Sequence, residues 1–338
     1  MANPNDRGFN TIQNSRVARR RKTETLQLYT LLGVICLAVI TMVILAVMAV
    51  GGFVGSIDNE GNSPNKEKVE WGTFTVTATD TLQGDLVLVN NSHAYTFPAT
   101  QEHLAQIFAM CASHDPRLYV QSGLSTYMDK DALTALDAML VDFATATGRT
   151  NVQIRYAYRT YEEQNGMDIQ PGYSDHHTGL GCDLQYVDEN KVAHDLTLDP
   201  VYSWLTENCY KYGFVIRYPD DKTEITGVSD YHDYFRYVGI PHATYMAQYG
   251  LCMEEYIEKL KDYDNEKPLK ITTADGKSYE VYYVAVDGTA TVKHPTNYAY
   301  TVSGTNEGGV VITVDRTPTP TEADTSAVDT SNAASIGS

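Results

Sequence analysis

Residues 28–50 form an apolar run with no charged side chain, and it divides the chain before any fold is considered. As a helix, its roughly 23 residues would reach ~34 Å, enough to span a bilayer with some tilt. The uncharged stretch extends over 25–57, and Arg7, Arg16, Arg19, Arg20, Arg21 and Lys22 crowd its N-terminal flank. A cleaved signal peptide is the competing reading, but a signal core is typically about 7–15 residues and its polar leader is shorter. Because Lys and Arg mark the flank that stays in the cytoplasm, the sequence predicts a cytoplasmic basic leader at 1–24. It predicts a single-pass anchor at 25–57 and an extracytoplasmic remainder.

A polar linker at 58–72, with Asn59, Gly61, Asn62, Pro64 and Asn65, would lift the following domain off the membrane. The formal net charge of −18 argues against a nucleic-acid partner, which asks for a basic face. Beyond Cys36 in the apolar run, Cys111, Cys182, Cys209 and Cys252 show no CxxC spacing. An extracytoplasmic site permits disulfides, yet four cysteines allow three pairings, and buried free thiols stay open as the alternative.

The apolar pattern predicts a strand over 73–79, where threonine alternates with Phe74, Val76 and Ala78, and a short strand over 86–89. Leu133, Leu136, Met139, Leu140 and Phe143 recur at helical steps, so 131–147 reads as an amphipathic helix with Gly148 as its stop. Strands follow over 152–157 and 214–216. Between them lies a helix opened by Pro200 and closed by Gly213, and further helices begin at Pro241 and near Glu254. From 268 to 316 the texture becomes strand and turn, either an appendage or an extension of the main sheet. The Thr-, Ser- and Ala-rich 317–338 reads as a disordered tail.

The densest chemistry lies at 174–183, where Ser174, Asp175, His176, His177, Thr178 and Asp183 surround Gly179 and Gly181. Imidazole and carboxylate at His176 and Asp183 suit zinc if the glycines let the chain turn between them. His177, next to a ligand, should point away, and Cys182 should face the core.

Taken with its neighbours, this stretch resembles the VanY-type D-alanyl-D-alanine carboxypeptidases, zinc peptidases grouped with lysostaphin-like enzymes and the hedgehog domain. The signature S-x-H-x-x-G-x-[AG]-x-D matches Ser174, His176, Gly179, Gly181 and Asp183. Tyr158, Arg159 and Gln164 match an upstream element, 212–219 match a Tyr-Gly-Phe…Arg-Tyr-Pro block, and 236–239 match Arg-Tyr-Val-Gly. The resemblance implies an α+β fold in which a small antiparallel sheet carries flanking helices over 73–262. It implies zinc on His176 and Asp183, Arg159 as oxyanion stabiliser, and Gln164 and Ser174 on the D-Ala-D-Ala end of a peptidoglycan stem peptide.

One family element departs. Where the family has Glu-x-x-His, supplying the general base and the third zinc ligand, this chain has Tyr231 and Tyr234. A catalytic zinc normally keeps three protein ligands and an open position, and a positioned base contributes roughly 10²–10⁴-fold. Rescue would need His232 as the third ligand, with Asp230 or Asp233 as base. The sequence thus supports a membrane-anchored zinc carboxypeptidase acting on wall stem peptides with catalysis in doubt. The alternatives are a non-catalytic relative using the same cleft to bind wall peptide or protein, and a tethered scaffold acting through its β-rich segment.

Overall fold

The computed structural model describes residues 69–317, with Ser125 and Asp230 excepted. The basic leader, the anchor, linker residues 58–68, tail residues 318–338 and the candidate base Asp230 therefore lie outside the described residues. Among the described residues no helix is long and apolar enough to cross a membrane.

The chain opens with β1 (Trp71–Thr77), β2 (Leu104–Gln106), α1 (Ile107–Ala112), β3 (Val120–Gln121) and β4 (Tyr127–Asp129). Next come α2 (Lys130–Thr147), β5 (Val152–Tyr156), β6 (Gly181–Val187), β7 (Ala193–His194), α3 (Ser203–Asn208) and β8 (Phe214–Ile216). Then follow α4 (Thr223–Thr226), β9 (Tyr234–Tyr237), α5 (Ile240–Tyr249) and α6 (Met253–Leu260). The series ends with β10 (Leu269–Thr272), β11 (Ser278–Ala285), β12 (Thr289–Pro295), β13 (Tyr300–Gly304) and β14 (Gly309–Asp315).

The central sheet runs β3-β5-β6-β9-β8, with β7 on the far part of β6. It is antiparallel as expected, except that edge strand β3 pairs parallel to β5. Helix α2 backs this sheet for reasons visible in its sequence. The Asp129 carboxylate accepts from the N–H groups of Asp131 and Ala132, capping its start, and Gly148 ends it at φ +70°, a left-handed conformation that favours glycine. Leu133, Leu136, Met139, Leu140 and Phe143 are all buried, packing with Ile154, Leu184, Leu205 and Phe235. Each such side chain contributes about 1.5–3 kcal/mol by leaving water. In β6 the two faces separate cleanly. Cys182 and Leu184 enter this core, as expected for Cys182, while Gly181 and Asp183 face the opposite side.

The strand expected over 73–79 is present as β1, but the one expected over 86–89 is not. The first strand does not serve the central sheet, because β1 pairs along its whole length with β12. The 268–316 segment therefore recruits the start of the described chain. It also forms the antiparallel sheet β10-β11-β14-β13, whose Leu269, Ile271, Val281 and Val311 share a core with Met246, Met253 and Ile257 of α5 and α6. Residues 86–89, in turn, are buried but form no strand. Their polar backbone is satisfied otherwise. Arg236 donates to the carbonyls of Asp85 and Val87 at 2.9 and 3.0 Å, and Leu88 N–H donates to the Thr305 carbonyl at 3.1 Å. The four described cysteines are free and buried, which settles them as core thiols.

Candidate active site

The loop between β5 and β6 returns His176 and Arg159 to Asp183, which stands on the central strand β6. Residues 175–178 form one turn of 3-10 helix, closed by Gly179 at φ +72°. His176 is buried, and its Nδ1 lies 2.6 Å from the Ala157 carbonyl. That acceptor makes Nδ1 the protonated nitrogen and leaves the Nε2 lone pair directed into the site. Burial, and then the nearby Arg159 guanidinium, lower its pKa to about 3, so the ring is neutral. Asp183 Oδ2 lies 3.4 Å from His176 Nε2. Burial pushes the Asp183 carboxyl up to about 6 against the pull of Tyr231 and Arg159, and neither carboxylate oxygen has a hydrogen-bond partner of normal geometry.

Arg159 completes the expected group. Its Nη2 lies 3.8 Å from Asp183 Oδ2, its Nη1 donates to Gln164 Oε1 at 3.4 Å, and its guanidinium lies over the Tyr156 ring at 4.9 Å. His177 holds the backbone behind it. Gly172 N–H donates to Nε2 at 3.0 Å, so Nδ1 carries the proton toward the Arg159 carbonyl at 2.8 Å. His177 thus turns away from the His176–Asp183 pair, as expected from its place in the sequence. Gln164 is buried, with its amide nitrogen donating to the Ile169 carbonyl at 2.9 Å. Both ends of this side chain fix the loop and Arg159. Ser174 is buried, with an unpartnered hydroxyl.

The second half of the site is built from tyrosines. Tyr231 and Tyr234 stack on each other and on Tyr218, with ring centroids 5.5–5.8 Å apart. The Tyr231 hydroxyl sits 3.0 Å from His176 Nε2. With Nδ1 already the donor, the phenol donates its proton to the lone pair that a metal would use. Tyr234 is fully buried and turns its hydroxyl away, donating to Asp175 Oδ2 at 3.0 Å. Burial holds both phenols protonated, well above their ordinary range.

His232 does not join His176 and Asp183. Residues 232–233 form a turn before β9, and the imidazole pairs with Asp195 Oδ2 at 3.1 Å. Among the described residues, the only group of three or more His, Cys, Asp or Glu side chains close enough to share an ion is Asp195, His232 and Asp233.

The fit to zinc is therefore one-sided. The 3.4 Å spacing and the orphaned Asp183 oxygens suit two ligands, but no third imidazole or carboxylate among the described residues reaches them, and a phenol caps the imidazole. The described residues do not make a three-ligand catalytic zinc site. Behind this site lies a buried ion network that sequence reasoning had not assigned. Asp175 meets Arg236 Nε at 3.0 Å and Arg217 Nε at 3.8 Å, and Arg217 forks onto Glu254 at 2.8 and 3.0 Å. Both arginines stand in the Arg-Tyr blocks at 217–219 and 236–239, which was the available signal.

A family model described as D-alanyl-D-alanine carboxypeptidase matches residues 95–240. The D-alanyl-D-alanine carboxypeptidase of Enterococcus faecium is 31% identical over 268 residues, covering 76% of this chain and 82% of the relative. The chain belongs to the VanY-type D-alanyl-D-alanine carboxypeptidase family. A second relative is the bifunctional D-Ala-D-Ala dipeptidase and D-Ala-D-Ala carboxypeptidase VanXYC of Enterococcus gallinarum. It is 28% identical over 185 residues, or 52% of this chain and 94% of that one. Among solved structures, the vancomycin resistance D,D-dipeptidase VanXYg in complex with a D-Ala-D-Ala phosphinate analog superposes with TM-score 0.63 at 26% identity. That match covers 73% of this chain and 100% of the other. This VanY-type chain thus keeps the mixed α/β fold of its relatives, with Tyr231 and Tyr234 beside its His176–Asp183 pair.

Proposed function

We propose that this VanY-type domain binds the D-Ala-terminated stem peptide of peptidoglycan outside the cytoplasm without hydrolysing it. In this reading the apolar segment at 25–57 tethers the chain to the membrane. The observation that carries the proposal is the Tyr231 hydroxyl on His176 Nε2, with Tyr234 turned to Asp175. The position of the base holds a protonated phenol, and the position of the third ligand holds a side chain committed elsewhere.

The peptide site is a cleft of ≈ 730 Å³ lined by Asn91, Arg159, Gln164, Met167, Val228 and Tyr231, within the range of small-ligand sites. Arg159 supplies a guanidinium already oriented by Gln164, Asp183 and Tyr156, so little freedom is lost when it meets a terminal carboxylate. Without an activated water, the same contact holds the peptide and no bond is broken.

The test uses the full-length chain, a pentapeptide ending in D-Ala-D-Ala, and added zinc. Calorimetric peptide binding without release of D-alanine is expected. The Tyr231→Glu, Tyr234→His double variant, which restores the family's base and third ligand, should gain stoichiometric zinc and measurable release. Release by the unaltered protein, or absence of peptide binding, would overturn the proposal.

A further inference from the structure

The wall of the cleft that carries Arg159 and Gln164 belongs to residues 157–174, which contain neither helix nor strand. Such a wall takes its shape from a few individual contacts, because no ladder repeats them. Within it, Thr160 N–H donates to Glu163 Oε2 at 2.9 Å, Glu163 N–H donates back to the Thr160 hydroxyl at 3.2 Å, and Gln164 reaches the Ile169 carbonyl. These bonds shape the tip of the wall without tying it to the sheet.

A single side chain joins its two ends. His177 accepts from Gly172 N–H through Nε2 and donates to the Arg159 carbonyl through Nδ1, beside the backbone bond from Tyr95 N–H to the Gly172 carbonyl at 2.7 Å. The ring is fully buried, with its centroid 4.9 Å from that of Phe97, and Phe97 meets Tyr161 of the wall edge-on at 6.2 Å. A neutral imidazole offers one donor and one acceptor, which is what one carbonyl and one N–H require. A hydrocarbon in its place would leave two buried backbone groups unpaired, whereas a carboxamide could serve both.

We propose that His177 is a positioning residue of the peptide site, holding Arg159 where it meets the terminal carboxylate and so setting the preference for a peptide with a free C-terminus. This rests on the reading of the cleft as a stem-peptide site. His177 does not line the cleft, so it acts through the wall and touches no ligand. Of the groups that orient the Arg159 guanidinium, Gln164 rides on the wall, while Tyr156 and Asp183 stand on β5 and β6. A wall that shifts therefore carries the guanidinium and one of its guides away from the other two. Fixing the wall beforehand removes an ordering cost from binding.

The test compares the full-length chain with its His177→Leu and His177→Gln variants. Amide hydrogen exchange is measured without ligand, and calorimetry follows with pentapeptides ending in D-Ala-D-Ala as the free acid or the amide. In His177→Leu, exchange over 159–173 should accelerate roughly tenfold or more while α2 keeps its rate. Affinity for the free acid should fall roughly tenfold and that for the amide much less, so the preference narrows. His177→Gln, able to accept from Gly172 and donate to Arg159, should restore both readouts. Unchanged exchange over 159–173 in His177→Leu would overturn the proposal, as would acceleration spread equally over α2, or a carboxylate preference that survives the loss of the ring. If the unaltered chain binds neither peptide, the stem-peptide reading falls and the claim of selectivity with it. The exchange readout, which needs no ligand, still decides whether His177 holds the wall.

Discussion

Tyr234 lies over Gly181 so closely that a Cβ at position 181 would collide with its hydroxyl. The two residues are diagonal neighbours across β6 and β9, since Tyr234 stands opposite Asp183 and Arg236 opposite Gly181. The family signature allows glycine or alanine at this position, and the larger ring at 234 makes use of the space that only glycine leaves. Gly181→Ala should therefore destabilise the protein by about 1–3 kcal/mol, the usual cost of overpacking. In a Tyr234→His background the same change should cost much less. A double-mutant cycle by urea unfolding measures the coupling, and additive effects would show that the contact is unimportant.

The Asp175 carboxylate receives Arg236 Nε and the Tyr234 hydroxyl, both at 3.0 Å, in a site where Asp175 and the two nearby arginines are buried. Removing one partner of a buried pair leaves the other charge without compensation, at a cost of ~3–5 kcal/mol. Asp175→Asn should lower the unfolding free energy by about 3 kcal/mol or more. It should also loosen residues 85–87, whose carbonyls Arg236 holds, so amide exchange should accelerate on this segment more than on α2. Uniform exchange along the chain would argue against that link.

Legibility in the sequence followed the range of the interactions. Helix α2 could be read because its cap, apolar face and glycine stop are local. His176, Asp183 and Arg159 could be read because short spacings and glycines carry the chemistry. The strand expected at 86–89 failed because guanidinium groups far along the chain, Arg217 and Arg236, satisfy its carbonyls. The partner of β1 was illegible for a similar reason, since β12 begins about two hundred residues later and strand pattern does not name a partner. Whether His232 could stand in as the third ligand was not legible, because the turn before β9 and the distant Asp195 decide where its ring goes. The two tyrosines could be seen as substitutions, but the capping of His176 Nε2 by one of them is a matter of side-chain direction.

Arg159 tests the peptide site separately from hydrolysis. Charge-assisted hydrogen bonds contribute ~1.5–3 kcal/mol, so Arg159→Ala should weaken binding of a D-Ala-terminated peptide roughly ten- to a hundredfold. The unaltered protein should prefer a free C-terminal carboxylate over an amide, and the variant should lose this preference. An equal loss for both peptides would mean that the guanidinium supports the loop and does not meet the terminus.

His242 ties α5 to the C-terminal sheet, with Nδ1 2.7 Å from the Tyr256 hydroxyl and Nε2 3.0 Å from the Thr313 hydroxyl. Burial alone lowers its pKa from 6.5 to about 3. The unfolded chain takes up this proton more readily than the folded one. The stability tied to neutral His242 is therefore complete above pH ~6.5 and is lost progressively as the pH falls towards 3. The full effect is on the order of a few kcal/mol. The carboxyls of Asp85 and Asp183, pushed up to about 6 mainly by burial, act with the opposite sign, contributing at low pH and fading as the pH rises through 6. The informative quantity is thus the difference between the unaltered chain and His242→Gln, whose amide can keep one of the two hydroxyl contacts without binding a proton. Thermal unfolding between pH 7.5 and 4 should show the unaltered chain ahead at neutral pH, with its advantage shrinking as the pH falls. A constant difference across that range would place the proton elsewhere.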